Sequence, residues 1–204
     1  MKIAQIAGFL GSGKTTLLIE VAKELVRQGK KVAIVVNDVG EINVDFKIVE
    51  SYGLRAKELS GGCICCEIAG NFANTLVILH SKFDPDIVIV EPSGVAIPWG
   101  LKRAAEYAEA EAPVTIEHAP VITLVDSTRI DTLLGTVRRL VVTQIREADI
   151  CLINKVDSSD EPRIKKSENL VKEINPQCEI MRPSTHKGKG VKEVADIMAN
   201  RTSS

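Results

Sequence analysis

The sequence predicts an α/β fold in which a mostly parallel sheet lies between two layers of helices. Apolar runs rich in β-branched residues recur along the chain, and amphipathic stretches of helical periodicity separate them. Such alternation is typical of strand–helix–strand units joined by right-handed crossovers. Since the chain has 204 residues, it can bury one α/β core, and we expect a single domain over 1–204.

The elements follow from these runs in order. KIAQIA ends at a glycine-rich turn and predicts the first strand, and helical spacing from Lys14 to a stop at Gly29 predicts the first helix. FKIVE and GLRAKEL interrupt the rhythm within region 38–66 and predict a small hairpin insertion. Strands are predicted at 2–7, 32–36, 86–90, 119–125, 149–153 and 178–182, and helices at 14–28, 67–81, 99–110, 126–147, 160–174 and 190–201.

The segment GFLGSGKT between the first strand and the first helix fits the pattern G-x-x-x-x-G-K-[ST]. Its glycines let backbone N–H groups face phosphate oxygens, and the helix start adds its positive end. We expect Lys14 to reach the β- and γ-phosphates, Thr15 to bind Mg²⁺ and Thr16 to hydrogen-bond the α-phosphate. The predicted phosphate-binding residues are Gly8, Gly11, Ser12, Gly13, Lys14, Thr15 and Thr16.

The tetrapeptide NKVD follows a later apolar strand and predicts which base is bound. Asn154, Lys155 and Asp157 match the guanine-reading loop of GTPases. Asp157 would accept hydrogen bonds from guanine N1–H and from its amino group, which adenine cannot offer. Ser184, after the last strand, is the candidate for a final base-contacting loop, with an ordinary loop serine as the alternative.

The strand DIVIV ends in Glu91-x-x-Gly94. In GTPases the acidic residue at this place contacts the Mg²⁺ shell through water, and the glycine N–H meets the γ-phosphate. We therefore predict Glu91 as a magnesium-shell residue, and Lys14, Thr15, Glu91 and Gly94 as the catalytic residues.

Three cysteines crowd one loop within ELSGGCICCEI. Thiolates of Cys63, Cys65 and Cys66 can converge on one borderline cation such as Zn²⁺, with a carboxylate, imidazole, water or second chain as fourth ligand. The alternatives are thiol–disulfide exchange through Cys63 and Cys66, or incidental thiols. Crowding and an odd cysteine total argue against a disulfide framework.

Composition excludes several classes of function. The 26 Lys+Arg and 27 Asp+Glu leave a net charge of -1, so neither a nucleic-acid nor a membrane partner is expected. The N-terminal apolar stretch is too short for a signal peptide, and a cytoplasmic location is expected. With three histidines and no His-rich tract, nickel storage is not predicted.

Seven segments of the chain follow one another in the order found in the CobW/HypB/UreG family of GTPases. They are GFLGSGKTT, NDVGEINVD, ELSGGCICC, EPSGVAIP, VITLVD, QIREAD and NKVD. The chain resembles the CobW-type branch, whose members often continue into a second C-terminal domain that we expect to be absent. The resemblance implies GTP/GDP and Mg²⁺ as cofactors, with Zn²⁺ or Co²⁺ at the cysteine loop. It also implies a first switch at Asn37, Glu41 and Asp45, with Glu41 as a candidate metal ligand.

The resemblance further implies a metallochaperone whose GTP state controls metal delivery or metallocofactor assembly. A metalloenzyme or cofactor-assembly protein is the expected client, and the resemblance also implies a nucleotide-dependent homodimer. We predict slow intrinsic hydrolysis, because the switches contain no Arg or Gln that is a clear catalytic candidate. The alternatives are an assembly G protein for a metalloenzyme, for example a corrinoid-dependent one, with a structural metal, and a thiol redox switch. NKVD disfavours an ATP-dependent kinase.

Overall fold

The computed structural model describes residues 1–36, 55–58, 68–92, 99–183 and 190–203. The strands are β1 (Lys2–Gly8), β2 (Val32–Val36), β3 (Arg55–Glu58), β4 (Ile87–Glu91), β5 (Glu117–His118), β6 (Ile122–Asp126), β7 (Ile150–Asn154) and β8 (Glu179–Met181). The helices are α1 (Lys14–Arg27), α2 (Ile68–Phe83), α3 (Trp99–Glu111), α4 (Ile130–Arg146), α5 (Glu161–Ile174) and α6 (Val191–Asn200), with a 3₁₀ turn at Val156–Ser158.

The strands form one sheet in the order β3-β2-β4-β1-β6-β7-β8, and β5 pairs with the start of β1. Every pairing among the described strands is parallel. The carboxyl ends of parallel strands meet at one edge, where ligands bind in open α/β sheets. Four neighbouring strands end there in Gly8, Glu91, Asp126 and Asn154.

Alternating strand residues bury both faces of the sheet. Ala4 and Ile6 of β1 pack in one cluster with α1 and α6, whereas Ile3 packs in another with α2 and α3. Helices α4 and α5 cover the same face as α2 and α3, over β6 and β7, where Cys151 is fully buried. The predicted three-layer α/β fold is therefore confirmed.

The packing of helix α1 fixes the orientation of the helix start, which follows the loop between β1 and α1. Its buried residues recur at helical spacing and pack under β1 and β2 and against α6, so the helix axis cannot rotate without exposing core. Gly29 adopts a left-handed conformation and donates to Val26 O at 2.9 Å, which ends the helix at the predicted glycine. The buried face of α1 consists of Leu17, Leu18, Val21, Ala22 and Leu25.

The structure differs from the sequence prediction at the start of one helix and in two strands. Helix α4 begins at Ile130, not at 126, because residues 126–129 form a turn in which Arg129 N donates to Asp126 O at 3.2 Å. Two strands were not predicted separately: β5 has only two residues, and β3 extends the edge of the main sheet. FKIVE lies outside the described residues, and the hairpin stays a prediction.

Among the described residues, none of the helices combines the length and the apolar composition that a membrane span requires.

Candidate functional site

The turn between β1 and α1 is in direct contact with the end of β7. The side-chain amide of Asn154 donates to Ser12 O at 2.8 Å, and both residues are buried. Gly13 has φ +101°, and a Cβ there would lie 2.5 Å from Asn154 Nδ2. Only glycine fits this position, since a side chain would both strain the backbone and displace the amide. A hydrogen bond from the side chain of the base motif to the backbone of the phosphate loop thus joins the two predicted segments.

Lys14 is the first residue of α1, and its side chain reaches back to the same turn. It is only 5% exposed, and its Nζ donates to Phe9 O at 3.4 Å. Helix α1, which begins at Lys14, has neither an acidic residue in its first turn nor a side-chain cap. A buried ammonium group and uncapped helix N–H groups together favour an anion at this end of the helix.

Thr15 and Glu91 meet where β1 and β4 end. The Thr15 hydroxyl donates to Glu91 Oε1 at 2.9 Å, and Glu91 is 7% exposed. Hydroxyl and carboxylate oxygens are ligands that Mg²⁺ uses directly or through water. The two residues predicted to bind magnesium are therefore in contact, and their oxygen atoms are ligands that suit this ion. Thr16 is exposed on the first turn of α1, and its phosphate contact stays a prediction.

In the base motif, an ion pair holds Lys155 in place, whereas Asp157 is exposed. Lys155 has φ +59°, a left-handed conformation that persists in a non-glycine residue only where surrounding contacts impose it. Its ammonium group binds Asp126 Oδ2 at 2.8 Å. Asp157 follows in the 3₁₀ turn and is exposed at the same sheet edge. The carboxylate predicted to recognise guanine is therefore accessible to a ligand.

Asp126 lies in the same region, and the sequence had assigned it no role. Its side chain is completely buried at the end of β6 and accepts four hydrogen bonds. Thr128 donates its backbone N–H and its hydroxyl to Oδ1, at 3.0 and 2.6 Å. Arg129 Nε and Lys155 Nζ both donate to Oδ2 at 2.8 Å. The motif VITLVD carried a signal for this residue, namely a carboxylate at the carboxyl end of an apolar strand.

Burial alone would raise the pKa of Asp126, but hydrogen bonds from Lys155, Thr128 and Arg129 outweigh it and hold the pKa below its ordinary value of 3.8. A carboxylate with a lowered folded-state pKa stabilises the fold above its unfolded pKa, and the contribution disappears as pH falls through the folded value. The stabilisation by Asp126 should therefore persist at pH 5 and decline only below pH 3.8.

Asp126→Asn is accordingly expected to lower the free energy of unfolding by about 3 kcal/mol at pH 7 and at pH 5, because the neutral amide loses two ion pairs at a buried position and turns a donor toward Arg129 and Lys155. Urea unfolding at pH 7, 5 and 3 measures the difference, which should shrink at pH 3. Asp131→Asn is the control, since Asp131 is 61% exposed beside Lys166, and it should change stability by about 1 kcal/mol or less. A difference already lost at pH 5 would contradict the lowered pKa.

Several predicted site residues lie outside the described residues. They are Glu41, Cys63, Cys65, Cys66, Gly94 and Ser184, together with Asn37 and Asp45 of the predicted first switch. Within the described part of the chain, no group of three or more His, Cys, Asp or Glu residues is arranged to hold a metal ion. The metal site thus stays a prediction that concerns the cysteine loop.

A strand-to-helix glycine loop, with an Asn-Lys-x-Asp motif against it at the edge of a parallel sheet, defines the class of P-loop nucleotide-binding proteins. More particularly, the chain belongs to the CobW/HypB/UreG family, whose nucleotide-binding domain model matches residues 2–182. The family predicted from the motifs is therefore confirmed.

Two curated relatives carry names that mention zinc. The zinc chaperone CobW of Sinorhizobium sp. is 30% identical over 188 residues, which cover 78% of this chain and 52% of the relative. The zinc-regulated GTPase metalloprotein activator 1 of Dictyostelium discoideum is 30% identical over 237 residues, with 95% of this chain and 48% of the relative covered. The chain thus spans about half the length of these relatives.

Among solved structures, the hydrogenase maturation factor HypB of Archaeoglobus fulgidus has a similar fold. The TM-score is 0.68 at 24% identity, and the match covers 96% of this chain and 87% of that chain. Structural similarity at this level of sequence identity supports the fold, whereas function has to be inferred from the residues of the site.

Proposed function

We propose that this chain binds and hydrolyses GTP, and that its nucleotide state controls the affinity of Cys63, Cys65 and Cys66 for a transition metal delivered to a metalloprotein client. The observation that carries the nucleotide half is the hydrogen bond from Asn154 to Ser12 O. It joins the loop suited to phosphates to the motif suited to guanine, so one nucleotide can span both. The exposed Asp157 carboxylate favours guanine over adenine.

The magnesium ion would bind at the Thr15 hydroxyl, with Glu91 in its shell. A bound Mg²⁺ neutralises developing charge on the β- and γ-phosphates, and Lys14 adds a second positive charge from a buried position. The hydrogen bond to Glu91 fixes the position of the Thr15 hydroxyl, so little ordering of that hydroxyl should accompany binding. Gly94, Thr16 and Ser184 complete the proposed nucleotide contacts.

The sheet topology supports coupling between the metal loop and the nucleotide. Cys63 follows Glu58, the end of β3, by five residues, which can extend over about 17 Å. Three strand spacings separate β3 from β1, or roughly 14 Å. A loop that starts at β3 is therefore long enough to reach the phosphate loop. Glu41, our candidate fourth ligand, follows the end of β2 by five residues in sequence, and β2 ends at the same edge of the sheet.

We propose Zn²⁺ as the preferred metal and Co²⁺ as the second candidate. Three thiolates and a carboxylate suit both ions, and the names of the two curated relatives mention zinc. The metal is cargo in this proposal, and a metalloprotein or a cofactor-assembly protein is its recipient. A nucleotide-dependent homodimer belongs to the same proposal.

Zn²⁺ is expected to raise the steady-state rate of GTP hydrolysis at least about threefold, because metal binding shifts the population of the state that hydrolyses GTP. Rates are measured with Mg²⁺, with and without one equivalent of Zn²⁺, in the wild type and in a Cys65→Ala/Cys66→Ala variant. The variant should bind GTP normally and show no response to Zn²⁺. An equal response in both proteins would contradict a role for the cysteine loop.

A further inference from the structure

Arg129 connects two parts of the nucleotide site, and the sequence had assigned it no role. Its Nε donates to Asp126 Oδ2 at 2.8 Å, and its Nη2 donates to Leu10 O at 2.7 Å. Leu10 lies in the middle of the phosphate loop, 119 residues away in sequence. One guanidinium group therefore bridges a buried carboxylate at the end of β6 and the backbone of the loop.

Among the described residues, Arg129 provides the side-chain hydrogen bond at Leu10, and Asn154 holds the loop two residues further on, at Ser12 O. The side chain of Leu10 is 55% exposed, so apolar burial does not hold the residue in position. Ser12 N donates to Phe9 O at 3.1 Å, which closes the turn but does not attach it to the sheet. Among these contacts, Arg129 supplies the attachment at Leu10 O.

Gly11 adapts the loop to this arginine. A Cβ at Gly11 would lie 3.0 Å from Arg129 Nη2 and 3.5 Å from Nη1, so the guanidinium group packs directly on the loop backbone. The phosphate-loop pattern accepts any residue at this position. The glycine here, with φ +73°, leaves space for Arg129 as well as allowing the turn.

The contact requires arginine chemistry. The planar guanidinium group presents Nε and Nη2 in a fixed geometry, so one group donates to a carboxylate and to a carbonyl oxygen at once. Lysine offers a single ammonium group and cannot reproduce both directions. Asp126 Oδ2 also accepts a hydrogen bond from Lys155. The same oxygen atom therefore binds Arg129, which holds the phosphate loop, and Lys155 of the base motif.

We propose that Arg129 is a positioning residue that holds Leu10 and Gly11 of the phosphate loop in the conformation that receives the nucleotide phosphates. This inference rests on the proposed nucleotide site. Arg129 acts on the loop and not on the nucleotide itself. Without it, the loop must be ordered during binding, which weakens affinity for nucleotides that carry phosphates. Recognition of the base, which belongs to Asp157 and Asn154, should be unaffected.

The test compares the wild type with Arg129→Met, Arg129→Lys and the control Arg163→Met. Arg163 is a matched control because it also lies three residues after an aspartate, Asp160, but both side chains are more than half exposed. Dissociation constants are measured for GDP, a non-hydrolysable GTP analogue, ADP and guanosine by competition against a fluorescent GDP analogue. Single-turnover GTP hydrolysis is measured on the same proteins.

Arg129→Met is expected to weaken GDP binding about tenfold, equivalent to 1.4 kcal/mol, while guanosine affinity and the GDP-to-ADP ratio stay unchanged. Arg129→Lys should recover part of the loss, since it retains the charge and one donor. Arg163→Met should bind GDP as the wild type does. The difference between GDP and guanosine identifies a role at the phosphates, because general destabilisation would lower both affinities together.

Three results would overturn the inference. Unchanged GDP affinity in Arg129→Met, or equal losses for GDP and guanosine, would remove the role in loop positioning. A lower hydrolysis rate with unchanged GTP and GDP affinity would mean that Arg129 acts on the reacting phosphate. If the wild type binds neither GDP nor GTP, the proposed function fails as well, and that result is distinct from a failure confined to the Arg129 variants.

Discussion

Lys14→Met is expected to reduce GTP hydrolysis about a thousandfold and to weaken GTP binding about tenfold or more. Lys14 is 5% exposed, and its ammonium nitrogen lies 3.4 Å from Phe9 O, within the turn that begins α1. A positive charge held in such a position stabilises the β- and γ-phosphates most when charge moves between them in the transition state. Single-turnover hydrolysis and equilibrium binding of a GTP analogue measure the two effects.

The matched control is Lys23→Met on the same helix. Lys23 forms a partly buried ion pair with Glu20 at 2.7 Å and lies about 13 Å beyond Lys14 along α1, so it should contribute little to nucleotide binding or catalysis. Lys14→Met should also remain folded, because it replaces a buried charge with an apolar side chain of similar length. Hydrolysis within about threefold of the wild-type rate would contradict the role of Lys14 at the phosphates.

Asp157→Asn should lower the affinity for GTP about a hundredfold and raise the affinity for xanthosine triphosphate. The Asp157 carboxylate can accept from guanine N1–H and from the guanine amino group, whereas an asparagine amide turns a donor toward one of them. Xanthine has a carbonyl oxygen in place of that amino group, and the asparagine N–H can donate to it. The exposed Asp157 side chain leaves room for either base.

Competition of GTP, XTP and ATP against a fluorescent GDP analogue measures this change of preference. Asp131→Asn again serves as the control, because its carboxylate is exposed beside Lys166 and distant in sequence from the motif. A uniform loss for all three nucleotides would indicate damage to the fold instead of altered base recognition. Retained preference for GTP in Asp157→Asn would assign guanine recognition to another residue.

The sequence predicted the regular elements well where local pattern and packing agree. Leu17, Leu18 and Val21 have helical spacing and are all buried on the face of α1 that meets the sheet. Apolar runs such as the one around Ile150–Asn154 predicted the interior strands, since a strand covered on both faces is apolar throughout. The phosphate loop was predictable because all its residues are contiguous.

The contacts that organise the site were not predictable in the same way. Arg129 and Leu10 lie 119 residues apart, and local sequence does not encode such a pairing. The predicted helix at 126–147 included Asp126, because its position before an amphipathic stretch resembles a helix start. In the structure Thr128 and Arg129 donate to its side chain, and this turn delays the helix to Ile130.

Helix α4 also contains a kink that the sequence pattern concealed. Val137 has φ −134° and ψ 34° inside the helix, two residues after Gly135. Leu133 and Val141 on either side both remain buried in one cluster, so the apolar periodicity continues across the kink. A pattern read at helical spacing therefore predicts one straight helix where the backbone forms two segments.

The central claim is that GTP and the metal bind to linked sites. The most direct measurement is an anaerobic competition titration of Zn²⁺ into the protein without nucleotide, with GDP, and with Mg²⁺ plus a non-hydrolysable GTP analogue. Cys65→Ala/Cys66→Ala accompanies each titration. We predict at least a tenfold difference in Zn²⁺ affinity between nucleotide states, about 1.4 kcal/mol of coupling, and its loss in the variant. Equal Zn²⁺ affinities in all three states would contradict the claim.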